Sequence, residues 1–215
     1  MTSNNVKLLR ARVEVAHPYL ALIGLFCGGF AGMYSETALN IALPQLSLAF
    51  GVDVSVMQWL VVGYMLVIGV VLPFAGLLMK WFSARKLTLF ALGAFLVGAI
   101  VSAAAPSFAI AFVGRAMQGI GTGLILPITF AMVFEVFPLH KVGAAMGASA
   151  LVVMFAPAIG PTLAGALVGA GSWRLVFASF AVMALVGIVF AWKFEVNPFK
   201  LTKPAIDAPS VALSV

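Results

Sequence analysis

The chain has 215 residues, of which 64% are hydrophobic and only 8% charged, with a formal net charge of +6. A soluble domain averages about 25% charged residues, so this composition is too poor in charge to cover a water-facing surface. The positive balance does not point to nucleic acid, because the cations sit at the ends of apolar stretches, against anionic lipid headgroups.

In chain order, residues 1–18 form a short polar segment holding Lys7, Arg10, Arg12 and His17. Six apolar stretches follow, at 19–46, 57–79, 87–105, 109–134, 142–168 and 173–192. Each has about the 20 residues a helix needs to cross a bilayer. The expected fold is an all-α membrane protein, a six-transmembrane-helix bundle over residues 19–192, with 193–215 as a tail. Lys80, Arg85 and Lys86 lie between the second and third spans, Lys141 between the fourth and fifth, and Lys193, Lys200 and Lys203 after the sixth. With the three at the start, ten of the twelve Lys and Arg residues fall on one side. The positive-inside rule therefore puts both termini in the cytoplasm, as an even number of spans requires, and implies a multi-pass protein of the cell membrane. Trp59, Trp81, Trp173 and Trp192 mark span ends, where amphipathic rings prefer the interface.

Within the first span Met33, Glu36 and Asn40 share one helix face; Arg115, Gln118 and Thr122 repeat that spacing in the fourth. Ionisable groups inside a membrane are costly, so Glu36 and Arg115 are candidate functional residues. At 1.5 Å per residue both lie roughly 10–15 Å below the outer surface. The two polar stripes are expected to face inward and satisfy each other, lining a cavity in which Glu36 titrates. A static Glu–Arg pair locking two helices is the alternative. Gln58 and Tyr64 of the second span, with Met33 and Tyr34, are further candidates for the cavity wall. Asp53 and Glu135, near span ends, read as solvated.

The fifth span combines Pro157, Gly160, Pro161 and Gly165, small residues and prolines that suit close helix packing or a flexing point. Gly119, Gly121 and Gly123 lighten the fourth span. Pro73 and Gly76 of the second span echo Pro161 and Gly165 of the fifth, a pattern that fits a 3+3 inverted repeat. Cys27 is the one cysteine, and His17 and His140 lie at span edges, so neither a disulfide nor a metal site is expected. No Ser/His, His/His or paired-Asp constellation suggests an enzyme. Residues 210–215 turn apolar after a Pro-rich stretch and read as the start of a seventh span, or else as part of a disordered tail.

These residues carry a resemblance. The chain resembles the amino-terminal half of a major facilitator superfamily transporter, and most closely the fourteen-span drug/proton antiporters of the lincomycin-resistance type. Arg115, Gln118, Gly119 and Gly121 match the R-x-x-Q-G pattern of the fourth span, and Gly160, Pro161 and Gly165 match the antiporter motif of the fifth. Thr37, Asn40, Ala42, Leu43 and Pro44 match the D-x-T-x-x-N-x-A-L-P signature of the first. That signature expects an acid at Ser35, and here Glu36 comes one place later, about 100° round the helix. Gly76, Lys80, Arg85 and Lys86 occupy the cytoplasmic gating loop, with Lys80 where an acid and Ser83 where a glycine is expected.

The resemblance implies proton-coupled export of hydrophobic or cationic drugs, with no cofactor beyond the proton gradient. It implies proton-coupling roles for Glu36 and Arg115. It also implies either a missing carboxy-terminal bundle or a second copy as partner, besides the lipid bilayer. Export of one metabolite, or a non-transporting half that only binds a partner bundle, are the alternatives.

Overall fold

The computed structural model describes residues 18–198. The expectations for the amino-terminal segment before Pro18 and for a seventh span lie outside the described residues. All six predicted spans are helices: α1 Pro18–Phe50, α2 Trp59–Trp81, α3 Ala84–Ala103, α4 Phe108–Val136, α5 Leu139–Gly169 and α6 Arg174–Phe194. Each is long and apolar enough to cross a bilayer, and this is a multi-pass membrane protein. A helix satisfies its own backbone groups, which is why apolar stretches of this length take that form in lipid.

The helix ends follow local chemistry. A one-turn helix, Val54–Met57, leads into α2, and its start is capped by Asp53, whose Oδ1 accepts from Ser55 N at 2.8 Å. Ser83 caps α3 in the same manner, accepting from Lys86 N at 3.4 Å. Gly51 and Gly171, with φ of 64° and 113°, turn the chain after α1 and α5 in a conformation that a side chain would strain.

The packing list has an internal symmetry. α1 packs mainly on α5 and α6, α4 mainly on α2 and α3, and the two halves meet through α1–α4 and α3–α6. Exchanging the first three helices for the last three maps this list onto itself, as a 3+3 repeat requires. Because lipid offers no hydrophobic drive between helices, close backbone approach takes over. A Cβ at Gly119 would stand 2.9 Å from Val67 Cβ of α2, and one at Gly121 would strike the Ala91 carbonyl of α3. α1 and α4 thereby bury about half of their residues, 15 of 33 and 15 of 29, whereas α5 buries 5 of 31 and α2 5 of 23. The apolar core divides into two clusters, one around Leu46, Met57 and Phe177, the other around Leu22, Leu87, Ile128 and Phe137. The second lies at the end that carries Lys80, Arg85, Lys86 and Lys193, hereafter the cation-rich end.

Candidate functional site

Arg115 is the largest fully buried side chain in the bundle. α4 brings it to the α1–α2–α4 junction, where Gly119, one turn further on, lets α2 come close. Its guanidinium donates from Nε to Leu60 O of α2 at 3.1 Å and from Nη1 to Ser35 Oγ of α1 at 3.3 Å. Nη1 also donates to Gln118 Oε1, one turn along α4. The guanidinium carbon sits 3.9 Å from the centroid of the Tyr64 ring, a cation–π contact between two fully buried side chains. The Tyr64 hydroxyl lies 2.9 Å from Gly32 O and 2.8 Å from Thr122 Oγ1, and Ser35 Oγ donates to Gly32 O at 2.8 Å. A Cβ at Gly32 would meet Thr122 Cγ2 at 2.5 Å, so only glycine leaves this hydroxyl pair its room.

The cluster is therefore a buried cation bound by three helices and neutral groups alone. Two of its donors, Arg115 Nη2 and Gln118 Nε2, have no partner. Among the described residues no ion pair joins Arg115 to Glu36, although the two are near enough to interact electrostatically. The expected mutual satisfaction of the two stripes does not occur. The stripe on α4 finds Ser35, and the stripe on α1 turns away. Asn40 is exposed and donates to Glu36 O of its own helix at 3.1 Å, while Met33 and Glu36 are half-buried. The cause is the one-residue offset: position 35 faces Arg115, and position 36 lies about 100° beyond it.

The other sequence candidates scatter. Tyr34 is buried toward α6, its hydroxyl 3.0 Å from Ser179 Oγ and its ring edge-on to Phe180. Gln58 is exposed at the start of α2. Of the fifth-span residues, Gly160 is pressed against Thr37 of α1, Pro157 is half-buried, and Pro161 and Gly165 face open space. Gly76, Lys80 and Lys86 are exposed. Arg85 leaves the loop and donates to Trp192 O in the last turn of α6. Among the described residues no three His, Cys, Asp or Glu side chains gather as metal ligands would.

The Major Facilitator Superfamily sequence model matches residues 25–214. The chain belongs to the Major Facilitator Superfamily. Among similar members, the lincomycin resistance protein LmrB of Bacillus subtilis is 42% identical over 90% of this chain and 40% of its own length. The LmrB of Listeria monocytogenes is 39% identical over 92% of this chain and 42% of its own. This chain thus spans about two fifths of the relatives it matches. Among solved structures, the peptide transporter POT in complex with sulfate superposes with a TM-score of 0.75 at 16% identity, over 100% of this chain and 46% of that one. The D-xylose-proton symporter gives 0.74 at 16% identity, over 92% and 54%. The fold is that of the amino-terminal half of a superfamily transporter, and the chain is a transporter-family protein rather than an enzyme.

A second polar cluster was missed in the sequence. Glu195, the residue after α6, is 5% exposed and accepts from Thr88 Oγ1 of α3 at 2.7 Å, while its Oε2 has no partner. Two residues on, Asn197 Oδ1 accepts from Ala84 N at 2.9 Å, capping α3. Burial pushes the Glu195 carboxyl up to about 8, against smaller lowering effects from Thr88 and the Arg85 charge. The signal available in the sequence was faint: an acid and an asparagine directly after an apolar span.

Proposed function

We propose that this bundle is the amino-terminal wall of a proton-coupled exporter of hydrophobic or cationic drugs, with both termini in the cytoplasm. The observation that carries the reading is the buried Arg115, which has a spare donor and no carboxylate partner, beside a half-exposed Glu36. An arginine keeps its charge under all ordinary conditions, so the cluster attracts whatever negative charge comes near. Deprotonated Glu36 is that charge. Protonated, it is neutral and released; deprotonated, it is drawn to Arg115 or neutralised by a cationic substrate. Proton and drug then compete for one carboxylate, which is the requirement of antiport. The names of the relatives, lincomycin resistance proteins, support drugs as the cargo class.

The bare faces of α2 and α5 are the surfaces on which a carboxy-terminal bundle, or a second copy of this chain, would close the cavity. They also favour the second reading, a half that binds a partner bundle without transporting by itself. The test is a proton-gradient-driven efflux assay in proteoliposomes. The chain is reconstituted alone and together with the carboxy-terminal bundle of the Bacillus subtilis relative. Efflux of several unrelated cationic dyes from the paired sample, lost in Glu36→Gln, is the expected result. Coupled efflux that survives Glu36→Gln removes this carboxylate from the mechanism. Efflux of a single compound class points to a dedicated metabolite exporter. Pairing without efflux leaves the partner-binding reading.

A further inference from the structure

α2 and α3 both lean on α4 and scarcely touch each other. α2 approaches through Val67 and Val71 against Gly119 and Gly123, and α3 through Ala91 and Phe95 against Gly121. Two helices drawn onto a common third leave a wedge between them. At the cation-rich end that wedge is a cavity of about 390 Å³ lined by Leu78, Phe82, Lys86, Leu87 and Phe90.

Its chemistry is graded. Phe90 lies one helical turn beyond Lys86 on α3, about 6 Å further into the apolar span. Leu78 and Phe82 supply the facing wall, and Phe82 and Phe90 are 45% and 60% exposed. The mouth carries charge of one sign. The stretch 80–86 holds Lys80, Arg85 and Lys86 and no acid. Arg85 is turned to Trp192 O on α6, which leaves Lys86 at the wedge and Lys80 on the last turn of α2. Both lysines are exposed, and among the described residues neither ammonium group meets a protein acceptor. Trp81, between them, stands at the level where interfacial rings settle.

A second groove, about 530 Å³, lies mid-span between α1, α5 and α6, walled by residues such as Phe26, Phe30, Val152 and Val186. No charged residue lines it.

We propose that the α2–α3 wedge binds an anionic phospholipid from the leaflet at the cation-rich end. An acyl chain lies against Phe82, Leu87 and Phe90, and the phosphate is held by Lys86. A hydrocarbon tail fits the walls, and the net negative headgroup answers the unpartnered cation. The site stands independently of what the full transporter carries.

The experiment is native mass spectrometry of the purified chain offered equal phosphatidylglycerol and phosphatidylcholine of identical chains. Preferential retention of phosphatidylglycerol by about fivefold is expected. Lys86→Gln, a surface change, abolishes the preference, and Lys193→Gln, another exposed cation at the same end, preserves it. A Phe90→Trp variant reports tail position, with quenching by chain-brominated phosphatidylglycerol that Lys86→Gln weakens. Equal retention of the two lipids overturns the proposal in favour of ordinary boundary lipid. A preference that survives Lys86→Gln, or falls equally in Lys193→Gln, overturns it in favour of diffuse charge at that end.

Discussion

Among the described residues two charged side chains are buried, and each leaves one polar atom without a partner. Arg115 lies deep within the spans, tied to α1, α2 and its own helix by neutral groups. Glu195 lies just past the end of α6, tied to α3 by one threonine. What separates them is chemistry. A carboxyl group escapes the cost of burial by taking up a proton, and the raised pKa of Glu195, about 8, is that escape. A guanidinium has no such option, so it must be surrounded by acceptors and by an aromatic face. The arginine site is consequently built from four side chains and two carbonyls, and the glutamate site from almost nothing. An elaborate shell around a permanent charge suggests use; a self-neutralising acid suggests a fastening.

That contrast can be broken most directly at Arg115. Arg115→Met is expected to reduce gradient-driven dye efflux of the assembled transporter by at least ~100-fold. It should lower the thermal stability of the bundle by only about 1–3 kcal/mol, the cost of leaving Gln118 Oε1 and Ser35 Oγ without their donor. Thermal unfolding in detergent checks the second half; a loss well beyond ~3 kcal/mol would make the arginine chiefly structural. Arg115→Lys is expected to fail as well, because one ammonium cannot serve acceptors on three helices.

The next largest effect concerns the offset acid. Glu36→Gln should abolish coupling, and adding Ser35→Asp should restore a measurable part by placing a carboxylate directly against Arg115 Nη1. Proton uptake by proteoliposomes on dye addition reads this out; no rescue by the double variant would show that position 35 is only a packing position.

At the other site the prediction has the opposite sign. In the folded chain Glu195 keeps its proton up to about pH 8, whereas unfolded it loses it near 4.5. Between those values the unfolded state binds fewer protons, so stability falls as pH rises, and above about 8 it levels off. Glu195→Gln removes this slope and should raise stability near pH 8 by about 1–3 kcal/mol. Thermal midpoints from pH 4 to 9 test it, and parallel curves for wild type and variant would count against the burial. The smallest effect is expected at Asn197→Ala, which frees Ala84 N while Ser83 still caps α3, and should cost about 1 kcal/mol with no change in efflux.

How far the sequence reveals these sites follows from where each one's partners lie. Arg115 is conspicuous because an ionisable residue interrupts an apolar run, and run length alone defines the six spans. Its partner Ser35 is hidden, since the choice between positions 35 and 36 depends on how α1 is rotated against α4, and tertiary packing sets that rotation. Gly32 and Gly119 fix it, through contacts with Thr122 and with α2 that no periodicity announces. Glu195 is hidden for another reason. An acid just outside a span reads as solvated until α6 is known to end beside the first turn of α3. The scatter of the fifth-span residues is similar: Gly160 meets Thr37 and Gly165 meets nothing, although only four residues separate them.

The fastening between α3 and the end of α6 also bears on the order in which the molecule is made. Ala84 N, Arg85 and Thr88 all find their partners at or beyond residue 192. A ribosome must therefore deliver the rest of α3 and the three helices after it before the start of α3 is complete. Until then it waits, with its leading N–H unoccupied and its arginine free, for the last helix to arrive. Assembly of the bundle is thus closed from its carboxy-terminal side, and a nascent chain released before residue 197 would carry an open seam where the finished protein has a clasp.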